Sequence, residues 1–311
     1  MAHMITSRFQ QSLLVIIFLL IGGCAQVPEP GVVAPEREPP ATYLKNVHPE
    51  VILVLGSGAA RGFSHVGVLK VLEQYHIPVD MIVGTSAGSI VGALYADKVS
   101  ADSLQKLLVA TKREDVIDFS LLNIASGPIS GAALQNFLVN NMYASSFDQL
   151  KIPFVAVASD LQTGKIHAFE SGPIAPAVNA SSAVPPFFRA VKLYGRTFSD
   201  GGLVDPVAVD VAKRFHPKII IAVSLGFPLD KQLPSNSAGV LMRGFSMMLL
   251  QLTEDSAHDA DIIIHPDTGD ISMFEGAGRE KIILSGEMAT EKEIPAIQRL
   301  LRKHHITRRS S

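Results

Sequence analysis

The chain has 311 residues, 47% of them hydrophobic and 18% charged, with a formal net charge of −2. That is enough apolar material for one large core or two small ones, and the near-neutral balance gives no electrostatic footprint for nucleic acid. The absence of Trp and the low aromatic content argue against a base-stacking platform, and the single cysteine, Cys24, excludes an intrachain disulfide and paired-cysteine metal sites.

Arg8 precedes an uninterrupted apolar run over 13–21, which leads into Gly22-Gly23-Cys24. A basic start, a short apolar stretch and small residues before a cut site make a secretory signal, and the run is short for a membrane-spanning helix. Ile21-Gly22-Gly23-Cys24 resembles a bacterial lipobox. That resemblance implies a signal peptide over 1–23, removed before an acylated Cys24, whose several acyl chains anchor stably where one would not. The alternative is an ordinary signal peptide with an incidental cysteine. Ala25, in place of Asp, resembles an outer-membrane address, so the expected location is the bacterial cell envelope, lipid-anchored and facing the periplasm. Residues 24–48 are rich in Pro and Glu and read as an extended tether. The body is expected from 49.

Val51-Ile52-Leu53-Val54-Leu55 is a continuous apolar run, as in a strand buried on both faces. A glycine-rich turn follows over 56–62, then helical spacing over 63–75, a strand over 81–83 and a helix rich in small residues over 89–96. Further buried strands are expected over 154–158, 219–223 and 262–264, and helices over 101–111, 131–141, 173–181, 206–215, 239–256 and 287–303. Segments 113–130 and 227–238 read as irregular, the second as a candidate lid. The repeated strand–loop–helix pattern predicts an α/β fold with a mostly parallel sheet and right-handed crossovers.

Gly84-Thr85-Ser86-Ala87-Gly88 matches G-x-S-x-G where a strand becomes a helix. The spacing suits a sharp turn with the serine at its apex and glycines leaving room for strand and helix to pass. An activated serine needs donors for an oxyanion. The turn Gly56-Ser57-Gly58-Ala59-Ala60-Arg61-Gly62 offers backbone amides unobstructed by large side chains, with Arg61 placed to orient the loop or meet an anionic headgroup. It is not a P-loop, lacking G-x-x-x-x-G-K-[ST], and Arg61 spoils G-x-G-x-x-G. For the base, His65, His258, His265, His304 and His305 are candidates without a recognisable loop motif. Asp200-Gly201-Gly202 offers instead a carboxylate beside two glycines and near Phe187 and Phe188, where desolvation raises basicity; taken alone it also reads as a plain turn.

The glycine loop, the elbow VGTSAG, the turn Ser159-Asp160-Leu161-x-Thr163-Gly164, the segment ASSAVPPFF and SDGGLVDPVAV, in this order over 51–210, resemble the patatin-like phospholipase family, and in particular bacterial members related to neuropathy-target-esterase domains. The resemblance implies a three-layer α/β/α sandwich, a catalytic domain over 49–286 and a C-terminal helix and basic tail over 287–311. It implies Ser86 as nucleophile, Asp200 as general base without histidine, and Gly58 and Ala59 in the oxyanion hole. Gly56, Ser57, Arg61, Gly62, Gly84, Gly88, Gly201 and Gly202 are its supporting motif residues. Where the family loop often reads G-G-G-x-[RK]-G, this chain has Ser57 and Ala59, so Ala59 must adopt the angles of a glycine.

The expected reaction is hydrolysis of a lipid acyl ester, with no cofactor and no metal: H-E-x-x-H and EF-hand patterns are absent, and Asp267-Thr268-Gly269-Asp270 lacks a distal ligand set. Rival readings are an esterase or thioesterase on soluble acyl substrates, and an envelope scaffold that kept the fold. Val240, Leu241, Met242, Phe245 and 247–250 read either as lining of an acyl channel or as a buried core helix. Arg299, Arg302, Lys303, Arg308 and Arg309 form a basic tail that either contacts anionic phosphates or is solvated.

Overall fold

The computed structural model describes residues 35–98, 100–121, 127–226, 229, 233–269 and 278–307. The expected signal peptide, Cys24 and the start of the expected tether lie outside these, as do Arg308, Arg309 and part of the candidate lid over 227–238.

Five parallel strands form the frame: β1 (Val51–Leu55), β2 (Met81–Thr85), β3 (Phe154–Asp160), β7 (Ile219–Val223) and β8 (Ile262–Ile264). Their side chains alternate between two cores. Val51, Leu53, Leu55, Ile82, Phe154, Ile219 and Ile221 face one; Ile52, Val54, Met81, Val83, Val155, Ile220 and Ala222 face the other. Period-2 alternation with both faces apolar is what a sheet covered on both sides requires, and it makes the molecule a three-layer α/β/α sandwich. Helices α1 (Ser64–Gln74), α2 (Ala87–Lys98), α3 (Ala101–Ala110), α4 (Ala132–Asn141) and α5 (Ile174–Ser181) follow, then α6 (Val209–Lys213), α7 (Ser237–Ala257) and α8 (Arg279–Lys303).

Three strands that periodicity did not reveal complete the eight-stranded sheet among the described residues: β4 (Lys165–Phe169), β5 (Val191–Leu193) and β6 (Arg196–Asp200). The order is β5-β6-β3-β2-β1-β7-β8, with β4 on β3. β4 and β6 run antiparallel to β3. β4 occupies one edge of β3 over 156–160, overlapping both other partners, so β2 and β6 share the opposite edge. β2 ends with Thr85 opposite Val157; β6 ends with Asp200 opposite Ala158. The two strands therefore run toward each other along one edge and meet end to end. Ser86 and Asp200 lie at that junction.

Several expected boundaries shift. The helix expected over 206–215 is only Val209–Lys213. The C-terminal helix starts at Arg279 rather than 287, so the boundary drawn at 286 falls inside it. α8 is packed into the body: a Cβ on Gly286 would overlap the Ser64 carbonyl, and one on Gly67 the Ile283 carbonyl, so only bare backbone lets α1 and α8 cross this closely. The tether is also shorter than expected. Glu38 pairs with His167 at 2.9 Å, the Ser171 hydroxyl donates to the Pro39 carbonyl, and Leu44 is buried within a 3₁₀ turn over Thr42–Asn46. Residues 38–46 thus run along the sheet before β1.

Candidate active site

β2 ends and α2 begins within two residues, which only a very tight elbow permits. A Cβ on Gly84 would lie 2.6 Å from the Gly88 carbonyl oxygen, and one on Gly88 would collide with the end of β1 at Leu55. Ser86, at the apex, has φ +56°, a left-handed conformation that costs a non-glycine residue roughly 1–2 kcal/mol. Its backbone is held on both sides. The Ser86 amide donates to the Ser181 hydroxyl at 3.0 Å, which itself donates to the Val157 carbonyl at 2.6 Å. The Ser86 carbonyl accepts from the hydroxyls of Ser89 (2.7 Å) and Ser182 (3.2 Å).

The Ser86 hydroxyl donates to Asp200 Oδ2 at 2.6 Å, across 114 sequence positions. Asp200 Oδ1 accepts from the Gly202 amide at 2.8 Å, at the start of the 3₁₀ turn Gly201–Leu203. Asp200 ends strand β6, rather than lying on an isolated glycine turn. Its backbone is tied to the segment around Ser182: the Asp200 amide and the Ser199 hydroxyl both donate to the Ala183 carbonyl, at 3.0 and 2.8 Å. Ser159 donates to the Asp200 carbonyl at 2.8 Å. Burial pushes the Asp200 carboxyl from 3.8 up to about 6, with the Ser86 and Gly202 hydrogen bonds pulling the other way. The result is a carboxylate more basic than an exposed one, already bonded to the hydroxyl it faces.

The glycine loop approaches from β1. Gly56 and Ser57 are fixed by bonds from their amides to the carbonyls of Val223 (3.0 Å) and Pro206 (2.8 Å). A 3₁₀ turn over Ala59–Phe63 follows, and the Arg61 amide donates to the Gly58 carbonyl at 3.0 Å. The amides of Gly58 and Ala59 precede that bond, where a helix start has no internal acceptor for them. Ala59 takes φ +48°, so it does adopt the left-handed backbone that its position demands. Arg61 is buried, and its Nη1 donates to the Gly226 carbonyl at 2.7 Å.

A cavity of about 260 Å³ opens beside Ser86, walled by Ala59, Ala60, Gly62 and then by Phe63, Ile90, Leu108, Val116, Ile117, Leu134, Phe137, Val184 and Phe188. Among the described residues, no histidine lines it. His65 is fully buried against the Gly56 carbonyl at 2.9 Å, and burial lowers its pKa to about 4, so it stays neutral as a prop beneath the loop. The acyl channel expected from 240–250 does not coincide with this cavity. None of those residues borders the cavity, and Val240, Leu241, Met242, Met247 and Met248 are exposed, so the core-helix alternative fails as well. The cavity is built instead from the 113–117 stretch read as irregular and from α4. Sequence reasoning also missed Ser181, Ser182 and Ser199; the quoted motif ASSAVPPFF held two of them, but nothing in the pattern assigned them a task.

The Ser86 hydroxyl thus meets a buried carboxylate at a strand–helix elbow beside a mostly apolar cavity. Residues 53–213 match the patatin-like phospholipase family, and the chain belongs to that family. Over 179 residues it is 32% identical to an uncharacterized NTE family protein of Mycobacterium bovis, covering 57% of this chain and 49% of the relative. It is 30% identical over 184 residues to patatin-like phospholipase domain-containing protein 6 of Homo sapiens, covering 57% of this chain and 13% of that one. The chain thus matches about half the length of the mycobacterial relative. Among solved structures it resembles VipD of Legionella pneumophila, with a TM-score of 0.49 at 13% identity over 83% of this chain and 67% of that one. It also resembles human GIVD cytosolic phospholipase A2, with a TM-score of 0.45 at 12% identity over 82% and 59%.

Proposed function

We propose that the protein is a lipid acyl-ester hydrolase of phospholipase A type that works through a Ser86–Asp200 dyad. The reading rests above all on the 2.6 Å bond from the Ser86 hydroxyl to Asp200, made at the mouth of a cavity whose walls suit an acyl chain. Asp200 accepts the Ser86 proton as Oγ attacks the ester carbonyl. The amides of Gly58 and Ala59 hold the oxyanion, which collapses as Asp200 returns the proton to the departing alcohol. Water then gives a proton to Asp200, attacks the acyl-serine and releases the fatty acid, and the proton goes back to Ser86. Family membership supports the lipid substrate, and the N-terminal sequence supports a lipid anchor at Cys24 in a bacterial envelope.

Fluorophosphonate labelling and hydrolysis of p-nitrophenyl esters of graded chain length test this. Wild-type protein should label once, and Ser86→Ala should abolish labelling and cut turnover by at least about 10³-fold. A Ser86→Ala protein that turns over normally removes the assignment. Preference for vesicle-borne over monomeric esters separates a lipase from an esterase on soluble substrates.

A further inference from the structure

Ser57 stands in the glycine loop where the family pattern often has glycine. Its side chain is only 5% exposed, and among the described residues its Oγ has no hydrogen-bond partner. Buried hydroxyls are almost always paired, because an unpaired one forfeits its bonds to water and gains nothing in return. The backbone gives this one little freedom to move. The Gly56 and Ser57 amides donate to the carbonyls of Val223 and Pro206, at 3.0 and 2.8 Å, which ties the loop to the end of β7 and to the turn before α6.

The hydroxyl is held beside the candidate base. A Cβ built on Gly202 would lie 3.1 Å from Ser57 Oγ and 3.0 Å from Asp200 Oδ1. Both oxygens therefore border one point next to the Gly202 Cα, and a side chain there would crowd them both. Oδ1 is the carboxylate oxygen not engaged by the nucleophile: Oδ2 accepts from Ser86, and Oδ1 accepts from the Gly202 amide. A carboxylate oxygen has two lone pairs, so Oδ1 can take a second donor. A buried donor without a partner and an acceptor with spare capacity thus face the same glycine, within reach of one bridging water.

We propose that Ser57 is a positioning residue for the dyad: through one water its hydroxyl donates to Asp200 Oδ1 and holds the carboxylate in the charged form that accepts the Ser86 proton. This rests on the Ser86–Asp200 reading of the site. A hydrogen bond to a carboxylate favours its charged form, so Ser57 works against the burial that pushes Asp200 up to about 6. The titratable groups on the surrounding elements are otherwise accounted for. Asp160 on β3 pairs with Arg196, His65 on α1 is held neutral against the Gly56 carbonyl, and Arg61 in the loop donates to Gly226. α5 carries none, and those of α2 lie in its last turn. Asp205, on the turn after Asp200, is pushed up to about 7 by its own burial and by Asp210, so it titrates in the same range and has to be controlled for.

The test follows the rate at which a fluorophosphonate labels Ser86 in the full chain from acid to alkaline pH, which reads the charge on Asp200 without any lipid. Ser57→Ala and Ser57→Gly are compared with wild type, and Asp205→Asn serves as control. In both Ser57 variants the midpoint of the rise should move up by roughly one pH unit, with labelling in acid about tenfold slower, because a hydrogen bond to a charged group contributes on that order. Above the midpoint the loss should be much smaller, and Asp205→Asn should leave the midpoint in place. A midpoint that stays put in both Ser57 variants overturns the proposal. So does an equal loss at every pH, which marks a misshapen loop rather than a carboxylate that has lost a donor. A midpoint that moves with Asp205→Asn assigns the titration to that group and overturns the proposal as well. All three outcomes leave the hydrolase reading intact; that reading fails separately, if wild type and Ser86→Ala label alike.

Discussion

Burying the Asp200 carboxyl raises its proton affinity, and the bonds from Ser86 and Gly202 offset only part of that rise. Two consequences have opposite signs. Only the charged carboxylate accepts the Ser86 proton, so turnover of a soluble ester should climb as pH rises through about 6 and level off above it. The folded state, in contrast, holds the proton more tightly than the unfolded chain, so this group favours folding most at low pH, and that contribution is lost as pH rises from 3.8 through about 6. Asp200→Asn should therefore be inactive yet more stable at neutral pH, by on the order of 2–3 kcal/mol. The gain should vanish in acid below the ordinary carboxylate range. Thermal unfolding of both proteins across that range checks it, and a gain that does not change with pH rules out burial of the charge as its source.

At the scale of elements, two helical glycines predict opposite outcomes from one substitution. Gly286 lies where α8 presses on α1, and a Cβ there overlaps the Ser64 carbonyl. Gly244 lies in α7 with nothing within 4 Å of an added Cβ. Alanine is the better helix former by about 1 kcal/mol, so Gly244→Ala should stabilise by about 0.5–1 kcal/mol. Gly286→Ala should lose that gain and more to overpacking, which costs about 1–3 kcal/mol. Urea unfolding midpoints read both, and a stabilised Gly286→Ala would mean that the two helices separate freely. The elbow follows the same logic at tighter range. It rests on serines of α5 and its following turn, so replacing Ser181 or Ser182 reaches Ser86 through its backbone.

For the whole molecule, the decisive feature is direction. β2 and β6 run in opposite directions along one edge of β3, and that opposition is what brings Ser86 and Asp200 together. An anchor at Cys24, as proposed above, would hold the body near lipid. The anchor is checked by palmitate labelling in a bacterial host: wild-type chain should incorporate the label and fractionate with membranes, and Cys24→Ser should incorporate none. Label retained by Cys24→Ser would place the lipid elsewhere or remove it from the account.

The buried strands were legible in the sequence because uninterrupted runs such as 51–55 and 219–223 fit only a sheet covered on both faces. The elbow was legible because so little else explains two glycines around a serine at a strand end. β4, β5 and β6 were not, since short strands with mixed polarity carry no periodic signal, and Asp200 alone looked like a turn; only likeness to a family singled it out. Which carboxylate meets Ser86, which stretch walls the cavity and which helix is left bare are matters of sheet order and register. These bring together residues more than a hundred positions apart, and local patterning records only which face of a segment avoids water, not which distant segment it will face.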